Sequence, residues 1–299
     1  MYFNQLTVVG VGLIGGSFAL AARRAGIAER IAGCDTREVL DRAIALGVID
    51  GPDDSFDHGR TSEAGLVYLA APVGSIISFL RSRAKLLKPG TLVTDAGSTK
   101  REICRAARES LAMNVSFVGG HPIAGSEKTG IEFASAELFS GSPYTLVMSS
   151  DVDSNAADVV RDIVSKLGAI PLEMTAEEHD RIVARISHTP QMLSTSLALA
   201  ARRALGARTL AAAGSGFVDM TRLARSQWSV WEDVCKTNGD EIVAALDETI
   251  SEIESVRAAI SSGEFPDLGE MFQSANELMR SFDDGDNKGA GSGLRNRKE

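Results

Sequence analysis

Cysteine is scarce in this chain of 299 residues, which contains only Cys34, Cys104 and Cys235. The three lie far apart in sequence and form neither a disulfide framework nor a C-x-x-C metal spacing. This excludes a disulfide-rich secreted domain and a cysteine-based metal site. We expect a protein of the reducing cytoplasm that holds no metal.

Basic residues are too few to dominate the surface. Lys and Arg number 31 against 40 Asp and Glu, for a net charge of −9. Binding to a phosphate backbone requires a broad basic surface, so nucleic acid is not an expected partner. An anionic small-molecule substrate would instead need a local basic site.

Long apolar runs are missing as well. The longest, residues 64–80, is interrupted by Gly65, Pro72, Gly74 and Ser75. It therefore predicts strand, turn and helix rather than a membrane span. The N-terminal residues show no charged leader and no apolar signal core, so we expect neither export nor membrane association.

What the sequence does contain is an alternation of β-rich apolar runs with helical patterns. Such alternation predicts an α/β Rossmann-like fold, in which helices cover a parallel sheet. After Thr175 the chain is rich in Ala, Leu, Arg and Glu and predicts helices only. The predicted strands are residues 6–9, 30–34, 66–70, 91–94, 116–118, 144–148 and 170–173.

These patterns predict the domain organisation. We place a dinucleotide-binding domain at residues 1–172 and an all-α domain at residues 173–282. Residues 283–299 have almost nothing to bury and predict a disordered tail. Thr99 with Glu102 matches the capping-box pattern and predicts a helix start in the first domain.

The first chemical motif is G-x-G-L-I-G at residues 10–15, between a predicted strand and a predicted helix. Gly10 permits the tight turn, Gly12 lets the backbone approach a pyrophosphate, and Gly15 lets the helix pack closely on the sheet. A packing turn without a ligand is the alternative. We interpret the motif, including Leu13 and Ile14, as a dinucleotide site because an acidic residue ends the next predicted strand.

That acidic residue is Asp35. A carboxylate there accepts hydrogen bonds from the adenosine ribose and repels a ribose 2′-phosphate, which favours NAD over NADP. Arg37 is close enough in sequence to pair with such a phosphate, so NADP is the alternative cofactor. Otherwise Arg37 fits a solvated residue in the first turn of the next helix.

Two loops follow further predicted strands, at the carboxyl edge where open α/β sheets bind ligands. The first contains Ala71 and Pro72, which we assign to the cofactor site. The second runs from Asp95 to Lys100 and contains Ser98, a candidate contact to both nicotinamide and substrate. A turn or helix-cap hydroxyl explains Ser98 equally well.

Histidines are the candidates for acid–base chemistry. His121 lies in a loop of small residues, 119–128, and the pKa of a histidine near neutrality suits a general base. His179 and His188 fall in the first helix of the second half, on nearly opposite faces if that helix is regular. Because Pro190 should kink the helix beside His188, we assign His188 to the site and interpret His179 as exposed or structural.

Arg222 is a candidate for bidentate capture of a substrate carboxylate. Asp219 is placed to orient it and Trp231 to close the wall of the pocket. Taken singly, these residues also fit surface charges and a core aromatic.

Together the motifs resemble prephenate and arogenate dehydrogenases of tyrosine biosynthesis, over residues 5–280. The resemblance implies a Rossmann-like domain joined to a helical dimerisation domain, and therefore a homodimer. It also implies oxidation of a cyclohexadiene ring alcohol with loss of the ring carboxylate as carbon dioxide. The segments that carry the resemblance are Gly10–Ser17, Asp95–Lys100, His121–Glu127, Ser187–Pro190 and Asp219–Arg222 with Trp231.

The resemblance further implies a role for each residue. His121 accepts the proton of the ring hydroxyl, and Ser98 aligns that hydroxyl with the cofactor. Arg222 and His188 hold the carboxylates of the substrate, and Glu127 belongs to the polar rim of the pocket.

One position departs from the family pattern. Many relatives that use prephenate have a second histidine after the proline, where this chain has Gln191. An amide can hydrogen-bond the substrate but carries no positive charge. The choice between prephenate, which we prefer, and arogenate therefore stays open, with dual use a third option. Nothing after residue 282 could form a regulatory domain, so tyrosine, as a candidate inhibitor, would act within the two domains.

Three other protein classes share part of this pattern. A β-hydroxyacid dehydrogenase needs a lysine with an asparagine four residues later, whereas Lys236 is followed at that spacing by Asp240. An imine reductase would leave His121, His188 and Arg222 unexplained. A non-catalytic NAD-binding sensor would need no such group of residues, and a turnover assay distinguishes it from an enzyme.

Overall fold

The computed structural model describes residues 2–124, 128–148, 152–205, 211–263 and 265–289. Strands and helices alternate up to β8, and helices follow. The strands are β1 (Phe3–Val9), β2 (Ala28–Cys34), β3 (Gly51–Pro52), β4 (Leu66–Leu69), β5 (Leu92–Asp95), β6 (Ser116–Pro122), β7 (Pro143–Val147) and β8 (Ile170–Met174). The helices are α1 (Leu13–Arg24), α2 (Arg37–Ala45), α3 (Val73–Arg83), α4 (Arg101–Ser110), α5 (Ser154–Lys166), α6 (Ala176–Val183), α7 (Thr189–Leu205), α8 (Ser215–Thr221), α9 (Trp228–Ser262) and α10 (Phe265–Gly289).

The chain divides into two compact units. The first comprises the chain up to Asp180 together with Trp228–Thr237, and the second comprises Arg181–Gln227 and the chain from Asn238. The predicted boundary at residue 172 falls inside β8, earlier than this division. The first unit extends to Asp180 because that residue makes hydrogen bonds to the start of α4.

The first unit is built on one eight-stranded sheet in the order β3-β2-β1-β4-β5-β6-β7-β8. All seven predicted strands are present, and the predicted Rossmann-like fold is confirmed. The sheet is not fully parallel, because β7 runs antiparallel to β6. An antiparallel pair needs no crossover helix, and the described part of this connection contains only a short 3-10 turn, Ile131–Phe133.

Both faces of the central sheet are covered. All four residues of β4 are buried, as expected for a parallel strand between two helical layers. One face packs against α1, α2 and α5, where Phe18 stacks on Tyr68 at a centroid distance of 3.6 Å. The other face packs against α3 and α4 through residues such as Ile76 and Ile103. Full burial of each such side chain contributes about 1.5–3 kcal/mol.

The helical part contains two irregular points. A π-helical turn, Ala184–His188, separates α6 from α7 and lies just before Pro190, where a kink was predicted. Proline lacks the N–H that a regular α-helix needs at this point, so the hydrogen-bond pattern changes. The second irregularity is Asn238 inside α9, whose φ of −137° and ψ of 23° are not helical.

The last helix extends into the segment predicted as a tail. α10 continues to Gly289, so residues 283–289 are helical, and residues 290–299 lie outside the described part of the chain. Extending an existing helix needs no new nucleus, so a polar segment can continue one. In the described ranges, no helix is both long and apolar enough to span a membrane.

Candidate active site

The loop between β1 and α1 has the geometry of a phosphate cradle. Gly10 has a φ of +89°, and a Cβ there would lie 2.6 Å from the carbonyl oxygen of Ala70. A Cβ at Gly15 would lie 1.9 Å from the carbonyl oxygen of Gly10, so only glycine allows this close packing. At Gly12 a Cβ would meet nothing within 4 Å, which leaves open space in front of the backbone. Leu13 begins α1 beside that space, where helix amides favour an anion.

Asp35 is held against this loop. Its Oδ2 accepts the Val11 amide at 2.7 Å, and its Oδ1 accepts the Thr36 amide at 2.7 Å. Each carboxylate oxygen still has a lone pair for a ribose hydroxyl. The Arg37 side chain is 83% exposed and pairs with Asp41 of its own helix, in agreement with the solvated interpretation.

The loops after β4 and β5 are neighbours, because these two strands pair in parallel. Ala71 is half-buried and Pro72 is the exposed N-cap of α3. Ser98 is half-buried between β5 and α4. Asp233 was not predicted from the sequence as a residue of this region, yet its Oδ2 accepts the Gly74 amide at 2.8 Å. The half-buried Trp231 precedes it in α9.

A buried ion pair fixes the strand that carries His121. Lys100 and Asp95 are both fully buried and hydrogen-bonded to each other. The Lys100 ammonium also donates to the Gly120 carbonyl at 2.7 Å, and Asp95 Oδ1 accepts the Gly120 amide at 3.0 Å. Both backbone groups of the residue before His121 are thereby held.

His121 lies in β6, whereas the sequence pattern predicted a loop at this position. Pairing with β7 extends the strand through Gly119 and Gly120, with His121 opposite Thr145. Glycine has little strand propensity of its own, so this extension depends on the tertiary pairing.

His179 and Asp180 complete a chain of hydrogen bonds that begins at His121. His121 Nδ1 lies 2.8 Å from His179 Nε2, and His179 Nδ1 lies 2.8 Å from Asp180 Oδ1. Both His179 and Asp180 are 0% exposed, so of the two interpretations of His179, exposed or structural, the exposed one is wrong.

Asp180 also caps a helix. Its Oδ1 accepts the Lys100 amide at 2.7 Å and its Oδ2 accepts the Arg101 amide at 2.9 Å, at the first residues of α4. The predicted cap, Thr99, instead shares a 2.8 Å hydrogen bond with the hydroxyl of Thr237. A carboxylate from a distant helix has therefore replaced the local capping residue.

The pKa values of this pair indicate a neutral imidazole beside an ionised carboxylate. Burial lowers the pKa of His179, and the hydrogen bond to Asp180 opposes only part of that effect. Burial works to raise the pKa of Asp180, but hydrogen bonds from His179 and from the Arg101 amide outweigh it and hold the pKa below its usual value. His179 therefore donates its Nδ1–H to Asp180 and presents Nε2 as an acceptor.

In the second unit His188 is buried, with 2% of its surface exposed. Its Nδ1 lies 3.3 Å from the Asn238 Nδ2 amide, which can only donate. His188 is therefore the tautomer that carries its proton on Nε2. The kink at Asn238 gives this amide its place inside a long helix.

The other predicted substrate residues differ in exposure. Arg222 and Asp219 are exposed, whereas Gln191 is only 5% exposed. The Gln191 Nε2 group donates to the Leu223 carbonyl at 2.9 Å and to Thr195 Oγ1 at 3.4 Å. These bonds occupy both of its donors. Glu127 lies outside the described residues.

Comparison with known proteins agrees with this geometry. One family model, described as the prephenate dehydrogenase nucleotide-binding domain, matches residues 18–171. A second, described as the dimerization domain of prephenate dehydrogenase, matches residues 175–274. Prephenate dehydrogenase of Bacillus subtilis (strain 168) is 35% identical over 278 residues, which cover 92% of this chain and 75% of the relative.

Two solved structures extend the similarity to the whole fold. Prephenate dehydrogenase from A. aeolicus, in complex with hydroxyphenyl propionate and NAD+, superposes with a TM-score of 0.88 at 27% identity, covering 94% of this chain and 99% of the other. Synechocystis arogenate dehydrogenase superposes with a TM-score of 0.81 at 27% identity, covering 93% of this chain and 99% of the other. Because family models match both halves in succession, the chain belongs to the prephenate dehydrogenase family.

Proposed function

We propose that this chain is an NAD-dependent prephenate dehydrogenase, which oxidises the ring alcohol of prephenate and releases the ring carboxylate to give 4-hydroxyphenylpyruvate. The observation that carries the proposal is the hydrogen-bonded series His121, His179 and Asp180 in the unit that also contains the glycine-rich loop. A protein that only senses a nucleotide has no use for a buried series that orients a base.

The residues that would hold NAD are those of the cradle. The open space at Gly12 accommodates the pyrophosphate, with Leu13 and Ile14 at the start of α1. Asp35 accepts the ribose hydroxyls and disfavours a 2′-phosphate, while Ala71, Pro72 and Ser98 lie at the carboxyl edge of the sheet. When bound, NAD supplies the hydride acceptor for the reaction.

The proton on His121 follows from its neighbours. His179 presents Nε2 as an acceptor, so His121 donates its Nδ1–H to it and keeps a lone pair on Nε2. That lone pair accepts the proton of the ring hydroxyl as the ring carbon is oxidised. The electron pair of the breaking bond to the ring carboxylate then completes the aromatic ring as carbon dioxide leaves. His179 stabilises the imidazolium by accepting its Nδ1–H.

We assign the substrate carboxylates to Arg222 and His188. A guanidinium suits bidentate binding, and the Nε2–H of His188 is the donor that a carboxylate requires. Asp219 and Trp231 are proposed as supporting residues, and Glu127 as part of the polar rim.

Arogenate is the second candidate substrate. Gln191 brings no positive charge to the position where many prephenate-using relatives have histidine, and a similar solved structure is an arogenate dehydrogenase. An enzyme that accepts both substrates is consistent with the same residues.

We also propose a homodimer. The second unit matches a dimerization domain, and its long helices expose large apolar residues such as Ile253, Phe265 and Phe272. Apolar groups of this kind are usually covered by a partner. Light scattering at micromolar concentration should give twice the mass of the chain, and a monomer would contradict the assignment. Tyrosine, as a candidate inhibitor, can be titrated in the assay below.

The function is tested by following reduced-cofactor absorbance with prephenate and arogenate, each with NAD and NADP. We expect turnover with prephenate and NAD. Turnover with arogenate alone would mean that arogenate, not prephenate, is the substrate. Turnover with NADP alone would contradict the assignment of Asp35 as the residue that disfavours a 2′-phosphate. A folded protein that binds NAD but turns over neither substrate would contradict the proposed reaction.

A further inference from the structure

Gln191 uses its side chain inside its own unit. It lies in the first turn of α7, and its Oε1 accepts the Ser226 hydroxyl at 3.2 Å. Its Nε2 group donates to the Leu223 carbonyl at 2.9 Å and to the Thr195 hydroxyl at 3.4 Å. A primary amide has two N–H donors, so a new bond to a substrate group would break one of these two.

Two partners of Gln191 belong to one short element, Leu223 within it and Ser226 at its end. Arg222–Arg225 form a 3-10 turn, and Ser226 is its C-cap. Leu223 and Ser226 are both bound by Gln191, one through a carbonyl and one through a hydroxyl. A second side chain of α7, Ser194, accepts the Ala224 amide at 3.0 Å. Two buried residues of α7 therefore hold the turn that begins with Arg222.

We infer that Gln191 is a positioning residue for Arg222 and that it does not read the side chain of the substrate. The inference rests on the proposed function, in which Arg222 binds a substrate carboxylate. Gln191 is then not one of the residues by which the enzyme distinguishes a keto from an amino side chain of the substrate. Its contribution to binding is the same for both substrates, because it acts through a contact that both would make.

The chemistry of the amide explains why glutamine suits this task. One planar group here serves a carbonyl acceptor and two hydroxyls. A neutral imidazole has one N–H and one acceptor nitrogen, so it cannot satisfy all three partners. A partner left without its bond would have to find water or another partner, which would loosen the turn.

The test compares Gln191→Ala with Gln273→Ala. Gln273 is an exposed glutamine of the same unit that donates to Glu277, one helical turn away. For Gln191→Ala we expect KM to rise roughly tenfold for prephenate and arogenate alike, the effect of losing about two net hydrogen bonds, with kcat within about threefold. Gln273→Ala should change neither constant. If the enzyme turns over only one substrate, the inhibition constant of the other replaces its KM.

Two further variants separate positioning from general damage. Gln191→Glu places an acceptor in front of the Leu223 carbonyl and should raise KM more than Gln191→Ala. Ser194→Ala removes only the Ala224 contact and should raise KM less, again equally for both substrates. Hydrogen exchange of residues 222–226 should accelerate in Gln191→Ala and not in Gln273→Ala.

The outcomes are distinguishable. A change of more than about fivefold in the ratio of kcat/KM for the two substrates, with exchange at 222–226 unchanged, would overturn the inference while leaving the reaction intact. A wild-type protein that binds neither substrate would contradict the proposed function. The exchange comparison still decides, in that case, whether Gln191 holds the turn.

Discussion

His121 Nδ1 lies 2.8 Å from Nε2 of His179, and this contact determines which nitrogen of His121 is basic. The acceptor on His179 is fixed in turn by Asp180, which lies on the other side of the ring. Because His179 and Asp180 are fully buried, water cannot take the place of either bond. The orientation of the proposed base is therefore a property of three residues.

Replacement of the base itself gives the first prediction. His121→Asn should lower kcat by about 10²- to 10⁴-fold, the usual contribution of a general base. Binding of NAD, measured by calorimetry, should not change because the cradle residues are intact. Turnover at the wild-type rate would exclude His121 from the mechanism.

Removing the acceptor on His179 gives the second prediction. His179→Phe should lower kcat by roughly 10- to 100-fold with KM unchanged, because protonated His121 loses a hydrogen bond that stabilises it. Because the protonated form of the base loses this stabilisation, the acid limb of the kcat profile should move to lower pH. His179→Gln, which restores an acceptor, should recover part of the rate.

The matched control is His58→Gln, since the side chain of His58 is 62% exposed. It should leave both kcat and the pH profile unchanged. A fall in rate for His179→Phe without movement of the acid limb would mean that His179 only packs against His121.

Asp180 supports both the relay and a helix, which gives the third prediction. Asp180→Asn should lower the free energy of unfolding by about 1–3 kcal/mol, because two amides at the start of α4 lose a charged acceptor. It should also lower kcat by about 10²- to 10⁴-fold, since the amide can impose the wrong tautomer on His179. Urea denaturation and steady-state kinetics measure the two effects. Thr99→Ala, at the predicted but unused cap, should cost under about 1 kcal/mol.

The buried pair of Lys100 and Asp95 gives the fourth prediction. Lys100→Met leaves a fully buried carboxylate without its partner and should lower the free energy of unfolding by about 3–5 kcal/mol. The double variant Lys100→Met/Asp95→Asn removes both charges and should be more stable than the single variant. If the single and double variants have the same stability in urea, the loss of stability does not come from an unpaired carboxylate of Asp95.

Asp53 gives the fifth prediction, on pH. Burial works to raise the pKa of Asp53, but hydrogen bonds from Ser55, Thr7 and Ser62 outweigh it and lower the pKa. A carboxyl whose folded pKa is depressed contributes stability that is fully present above its unfolded pKa of about 3.9. That stability is lost as pH falls further, through the folded pKa. Asp53→Asn should lower stability at pH 7 by about 1–3 kcal/mol and reduce the dependence on pH below about 4.

Thermal unfolding followed between pH 7 and pH 3 measures this difference. Asp57→Asn, at an exposed position in the same loop, is the matched control and should follow the wild type. A parallel decline of the wild type and Asp53→Asn below pH 4 would show that Asp53 contributes nothing to acid sensitivity.

Features that depend on local chemistry could be predicted from the sequence alone. Hydrophobic patterning predicted seven strands, and the glycine loop could be predicted because Gly10 and Gly15 serve backbone conformation and close packing, which only glycine allows. The resemblance to the family rested on short motifs of the same local kind. Asp35 could be identified because it directly follows the second predicted strand, a position that is visible in the sequence.

The orientation of the candidate site, by contrast, depends on contacts between segments that are distant along the chain. His179, in α6, hydrogen-bonds to His121, in β6, although 58 residues separate them. Asp180 takes the place of Thr99 at the start of α4, and it too comes from a distant segment. Gln191 likewise bonds to a turn far along the chain. Hydrogen bonds between distant segments depend on how those segments pack together. The spacing of residues along one helix or strand gives no information about that packing.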